Sequence, residues 1–136
     1  MQSRLGHIQV NVTSENLPFY RDLMGFLGWK TIHDAEFGIG VEADGEPSIW
    51  FVAAANGAEN DYDGAGMNHL GIHTGSQADV DNVAAFLKER GVPALFETPR
   101  HRPDFAQDEN STYYQVMFES PDRVLFEVVY RGPKGE

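Results

Sequence analysis

Polar and apolar residues alternate through Gly6-His7-Ile8-Gln9-Val10-Asn11-Val12, and the run has a close echo in Met67-Asn68-His69-Leu70-Gly71-Ile72-His73-Thr74. Successive side chains of a strand point to opposite faces of its sheet. Ile8, Val10 and Val12 therefore share one face and His7, Gln9 and Asn11 the other, while in the echo Leu70 and Ile72 oppose His69, Gly71 and His73. Both runs predict strands with an apolar face for packing helices and a histidine-led polar face turned toward a cavity.

After the first strand, Thr13-Ser14-Glu15-Asn16 offers capping side chains. Leu17, Phe19, Tyr20, Leu23, Met24 and Leu27 then recur at helical spacing, predicting an amphipathic helix closed by Gly25 and Gly28. Strands are predicted over 29–33, 37–41 and 48–52, the last two joined by the turn Ala43-Asp44-Gly45-Glu46-Pro47. Residues 54–66, rich in Gly, Asn, Asp and small side chains, read as a linker, and their Asp61-Tyr62-Asp63-Gly64 core lacks the bidentate Glu that a calcium loop requires. Beyond the second histidine-led strand, Ser76-Gln77-Ala78-Asp79 caps a helix carrying Val80, Val83, Ala84, Phe86 and Leu87 and ended by Gly91-Val92-Pro93. Strands over 92–96, 113–118 and 124–130 follow, with Ser120-Pro121-Asp122-Arg123 as the final turn.

The second half thus repeats the element order of the first, with helices and closing glycines at nearly the same offset as the two histidines. The predicted fold class is α+β: two β-α-β-β-β modules, 1–53 and 67–136, joined by the 54–66 linker into one domain with helices outside. Within the second module, 97–111 is irregular and contains Pro and charged residues; a loop of that length in a small domain is a functional lid or a disordered stretch.

With 136 residues, 41% of them hydrophobic, the chain has material for one ordinary domain with a real core. Ten Lys and Arg against 21 Asp and Glu give a net charge of −11, which argues against a nucleic-acid backbone or an anionic membrane as partner. The absence of cysteine excludes disulfides and thiolate ligands, so any metal must be held by histidines and carboxylates. The N-terminal Met-Gln-Ser-Arg-Leu-Gly-His has no charged start followed by a long apolar run, and no stretch approaches the roughly 18 apolar residues of a membrane helix. The expectation is a cytoplasmic protein.

Glu127 stands alone as a carboxylate in the otherwise apolar last strand. Burying an ionised carboxylate is costly unless it is paired, hydrogen-bonded or bound to a metal. With His7 and His69 at equivalent positions of the repeat, it makes a two-histidine, one-carboxylate set suited to a divalent metal with open positions. Each residue also has a plainer reading, a hydrogen-bonded histidine or a salt-bridged glutamate, and duplication alone would account for the symmetry of the pair.

Four stretches taken together, Gly6 to Val12, Phe19-Tyr20-Arg21-Asp22-Leu23-Met24-Gly25-Phe26, Asn68-His69-Leu70-Gly71-Ile72, and Ser120-Pro121-Asp122-Arg123-Val124-Leu125-Phe126-Glu127, resemble the vicinal oxygen chelate superfamily. That group includes glyoxalase I, extradiol dioxygenases, fosfomycin-resistance enzymes and bleomycin-resistance binding proteins. The resemblance covers nearly the whole chain and implies two modules paired into an open, cupped mixed-sheet barrel. It also implies a divalent metal (Fe, Mn, Zn or Ni) on His7, His69 and Glu127, a small-molecule substrate, a homodimer, and lyase, dioxygenase or transferase chemistry.

Two positions depart from the family. Where glyoxalase I has a carboxylate that serves as ligand and base, this chain has Trp50, which can neither coordinate nor accept a proton. Where extradiol dioxygenases and fosfomycin-resistance enzymes tend to carry a Tyr, ten residues before the Glu, it has Met117. The resemblance therefore implies the family's chemistry without selecting one of its reactions.

His73, on the same face as His69, is the candidate for proton transfer; Gln9 and Asn11 are candidate substrate contacts from that polar lining. Trp50 and Tyr114, with Tyr113 and Phe105 as further aromatic candidates, offer a wall for a planar ligand, and Arg102 beside Arg100 offers capture of an anionic group. Trp50, Met117 and the missing second carboxylate also suit a function of another class, a metal-free protein that sequesters an aromatic ligand.

Overall fold

The first alternating run becomes a five-residue strand, β1 (His7–Asn11), and its echo becomes β5 (Leu70–Thr74). A computed structural model describes residues 1–135 and divides into two compact units, Met1–Glu59 and Asn60–Glu136. The first contains β1, α1 (Leu17–Phe26), β2 (Lys30–Ala35), β3 (Gly38–Glu42) and β4 (Ser48–Val52). The second contains β5, α2 (Gln77–Glu89), β6 (Leu95–His101), β7 (Ser111–Glu119) and β8 (Leu125–Pro133). Each is a β-α-β-β-β module with one four-stranded mixed sheet, ordered β1-β4-β3-β2 and β5-β8-β7-β6. In both, the first and last strands of the module run parallel and the remaining pairs antiparallel. The fold class is α+β, as the repeat predicts. Among the described residues no helix is long and apolar enough to cross a membrane.

The apolar faces do what the alternation predicts. In the first unit Tyr20, Leu23 and Met24 of α1 are fully buried with Ile39, Val41, Ile49 and Phe51 of the sheet, and the Tyr20 and Phe51 rings stack at 4.5 Å. In the second, Val80, Val83, Phe86 and Leu87 of α2 are buried with Leu70, Ile72, Val116, Phe118, Phe126 and Val128. Phe118 and Phe126, paired across β7 and β8, stack at 5.3 Å. Burying each such side chain contributes about 1.5–3 kcal/mol, so these helix-facing layers dominate the stability of each module.

Several local expectations shift. Gly25 lies inside α1, and Gly28 alone supplies the left-handed turn after it, at φ 86°. Asn16 makes no capping hydrogen bond to α1, whereas Ser76 accepts from the Asp79 amide at 3.1 Å and caps α2. The segment expected to be irregular is in part strand: β6 continues to His101 across a bulge in which Phe96 and Glu97 take φ 56° and 60°. Thr98 Oγ1 bridges that bulge, donating to the Leu95 carbonyl at 2.6 Å and accepting from the Met117 amide at 2.9 Å, so a side chain restores the link that backbone pairing loses. Within 54–66, Asn60 donates to the Arg123 carbonyl, and Tyr62 is buried against Met117 and Leu125, so that end of the expected linker is part of the second module's packing.

Gly40 pairs with Trp50 across β3 and β4, and a Cβ on it would meet the indole ring at 2.7 Å. Its backbone has no need of glycine's left-handed freedom, so the requirement is steric. Gly40→Ala is expected to displace the indole and cost about 1–3 kcal/mol, read by denaturant unfolding, with a shift in tryptophan emission in a Trp29→Phe background. Unchanged stability and emission would show that the ring does not depend on this glycine.

Candidate functional site

The other face of the second sheet carries the candidate residues Glu127 and His73, with His69 just before β5. Glu127 on β8 lies beside Gly71 of β5 and opposite Met117 of β7, and is only 6% exposed. A carboxylate that deep needs donors. Tyr113 supplies one, its hydroxyl 3.0 Å from both Glu127 oxygens, and the Gln115 amide nitrogen donates to Oε2. Gln115, itself 2% exposed, is oriented from its other end, where its carbonyl oxygen accepts from Arg102 Nη1 at 3.2 Å. Because Oε1 is occupied by the guanidinium, Nε2 must face the carboxylate.

His69 is held by the same logic. Asn68 Nδ2 donates to the Tyr62 carbonyl at 2.9 Å, which turns Asn68 Oδ1 toward His69 Nδ1 at 2.8 Å. An amide oxygen only accepts, so Nδ1 carries a proton and Nε2 is the nitrogen turned toward the carboxylate. That nitrogen lies 3.7 Å from Glu127 Oε1, beyond hydrogen-bond range. Gly71 leaves the space between the strands open, since a Cβ there would approach Glu127 Oε1 at 3.4 Å. An imidazole nitrogen and a carboxylate oxygen thus face one another across this gap. Within either unit, no third His, Asp or Glu joins such a cluster among the described residues.

The corresponding face of the first unit carries His7, Gln9 and Asn11, all exposed, with Gln9 Nε2 donating to Asn11 Oδ1 at 2.9 Å. Gln9 pairs with Trp50 in the register in which Gly71 pairs with Glu127, so Trp50 occupies the position of the first module that Glu127 occupies in the second. Its indole donates to Ser48 Oγ at 3.1 Å and lies 5.7 Å from the His33 ring, an aromatic patch on the polar-lined face.

Among the aromatic candidates, the tyrosine beside Glu127 is Tyr113. Tyr114 points to the helix side, where its hydroxyl donates to Asp81 of α2 at 2.6 Å. The reason is strand parity: Tyr113, Gln115 and Met117 share the face of Glu127, and Tyr114 and Val116 the opposite one. Phe105 packs edge-on against Tyr113 at 5.4 Å and under the Arg102 guanidinium at 4.7 Å, so the 102–105 segment covers this part of the sheet. His73 is exposed on the same face, four residues beyond His69. Gln115 was not singled out by its sequence; its signal was a lone amide two residues from Tyr113 in an apolar strand.

A model of the Glyoxalase/Bleomycin resistance protein/Dioxygenase superfamily matches residues 4–128. The chain belongs to this superfamily. A proposed glyoxalase from Bacillus halodurans is 30% identical to it and superposes with a TM-score of 0.77, covering 95% of this chain and 96% of its own. The fosfomycin resistance protein FosX of Listeria monocytogenes, solved with Mn(II) and sulfate, shares the fold at a TM-score of 0.68 and 21% identity, over 96% of this chain and 91% of its own. YqjT of Bacillus subtilis (strain 168) is 36% identical over 64 residues, 47% of this chain; the match spans about half of that relative, 46%.

Burial, with donation to Glu127 adding to it, pushes the Tyr113 hydroxyl up to about 12, and burial with donation to Asp81 does the same to Tyr114. Because these folded-state values exceed the unfolded value of about 10, each tyrosine's contribution is intact below pH ~10 and is lost as pH rises through about 12. Tyr113→Phe and Tyr114→Phe should each flatten the fall in unfolding free energy across that window, and the double variant should flatten it further. Curves parallel to wild type would refute the assignment. Gln115→Leu, which takes a donor from a buried carboxylate, should cost about 1–3 kcal/mol in the same measurement at pH 7.

Proposed function

We propose that the chain is a metalloenzyme of its superfamily, in which His69 and Glu127, with His7 from the first module of the same chain or of a second copy, hold a divalent cation against a small oxygenated substrate. What carries the reading is the facing pair, an imidazole nitrogen and a buried carboxylate oxygen 3.7 Å apart, each oriented by a second residue that is itself fixed. Imidazole and carboxylate without thiolate suit manganese, iron, zinc or nickel, and Mn(II) is the ion bound in FosX. Orientation of ligands by outer residues is usual in metal sites.

Such a cation supplies Lewis-acid polarisation of adjacent substrate oxygens. The protein groups have separate tasks. Tyr113 stays protonated and, with Gln115, keeps Glu127 directed toward His69. Gln9 and Asn11 offer donors and acceptors to substrate, Trp50 a planar apolar contact, and Arg102 a positive charge over Phe105.

A second reading, a metal-free protein that sequesters an aromatic ligand, draws on Trp50 standing where the other module has Glu127, and on Met117 opposite that carboxylate. The two readings separate experimentally. Protein purified without chelator should carry stoichiometric Mn, Fe, Zn or Ni by elemental analysis, and His7→Ala, His69→Ala and Glu127→Ala should each abolish it. A wild type that holds none of these metals, yet binds planar ligands unchanged in chelator and after Glu127→Gln, would replace the first reading with the second.

A further inference from the structure

Further along β5 and β8 from the Glu127 pair the second unit has a cleft of about 450 Å³, lined by His73, Phe105, Gln107, Ser111, Thr112 and Arg131 together with Gly132. In a chain carrying 21 acidic and ten basic residues, this lining has one arginine, one histidine, two hydroxyls and an amide, and no carboxylate. Asp108, the acid nearest in sequence to Gln107, is turned onto the Asn110 amide at 2.8 Å. The Thr112 hydroxyl is already paired with His101 Nδ1 at 2.6 Å. Arg131 is exposed on β8 opposite Tyr113, and its guanidinium has no hydrogen bond or ion pair among the described residues. It differs in this from Arg4 and Arg21, each of which is ion-paired to a carboxylate at 2.7–2.9 Å. A guanidinium left open above donor side chains, in an otherwise acidic molecule, is suited to an oxyanion.

The location adds a constraint. His73 follows His69, and Arg131 follows Glu127, by four residues on the same faces, about 13 Å along each strand at a rise of about 3.3 Å per residue. Phe105 lines the cleft and also packs on Tyr113, whose hydroxyl holds Glu127, so one aromatic wall is common to both places.

We infer that Arg131, with Ser111, Gln107 and His73, binds the anionic end of an elongated ligand, a carboxylate or a phosphate-type group, whose body passes over Phe105 toward His69 and Glu127. The inference rests on the proposed function only for what the far end of the ligand meets; the anion site itself needs no metal. Benzoate and phenyl phosphate are suitable probes, titrated by ¹⁵N NMR into protein stripped of metal and exchanged free of chelator, and into Glu127→Gln. One or both probes should bind saturably, with shifts concentrated at 105–112 and 131–132, and preference between them identifies the anion. Arg131→Ala should weaken binding about tenfold or more, Arg131→Lys less, and Arg4→Ala not at all. The absence of saturable shifts with either probe, or shifts indifferent to Arg131→Ala in a variant whose spectrum is folded, would overturn the inference. Since these titrations involve no metal, their failure leaves the metal-content test untouched, and the converse holds.

Discussion

A carboxylate buried in a sheet is the constraint around which the second module is organised. Glu127 sits in a strand whose neighbours, Phe126 and Val128, are fully covered by helix-facing packing, so it cannot reach bulk water by moving the strand. Desolvating an ion of that size without partners would cost several kcal/mol, comparable with the whole net stability of a domain. The donors that offset the cost, Tyr113 and Gln115, come from the next strand, and Gln115 is in turn held by Arg102 from the segment that folds over the sheet. One buried charge therefore determines the side-chain order of β7 and the position of the 102–105 segment.

Two amides work in the same way on the two sides of the site. Asn68 is turned by the Tyr62 carbonyl and Gln115 by Arg102, and each then presents the correct atom to the group beyond it. This gives His69 a defined tautomer and Glu127 a defined orientation without either depending on a bound ligand. Pre-set side chains of this kind keep the cost of binding low, because little rotamer freedom is left to lose.

The pseudo-repeat is faithful in its backbone and divergent in its chemistry. Both sheets have the same strand order and the same parallel pairing of first and last strands, and position for position Trp50 corresponds to Glu127 and Gly40 to Met117. In the first module a large ring lies over a residue with no side chain. In the second a carboxylate faces a thioether. Duplicated geometry thus carries an aromatic patch in one copy and a buried carboxylate beside a histidine in the other. Family membership accounts for the frame and not for these differences.

Much of this was legible in the chain as written. Alternation in His7 to Asn11 and in His69 to Thr74, the helical spacing of Leu17 to Leu27, and the Ser76 cap are local properties, and period-two and helical patterns report them directly. The isolated carboxylate of Glu127 in an apolar strand likewise called for hydrogen-bond partners. What answered that charge was decided only in three dimensions. Choosing Tyr113 over Tyr114 requires the register of β7 against β8; Gln115 and Arg102 meet through a loop closure, and the Thr98 bridge that lets β6 run past its bulge joins residues on different strands. Tyr62, within a stretch that reads as linker, earns its place from Met117 and Leu125, far along the chain. Periodicity encodes which face a residue occupies, because that depends on its neighbours in sequence. Which partner meets it there depends on strand pairing between distant segments, and only the folded sheet contains that information.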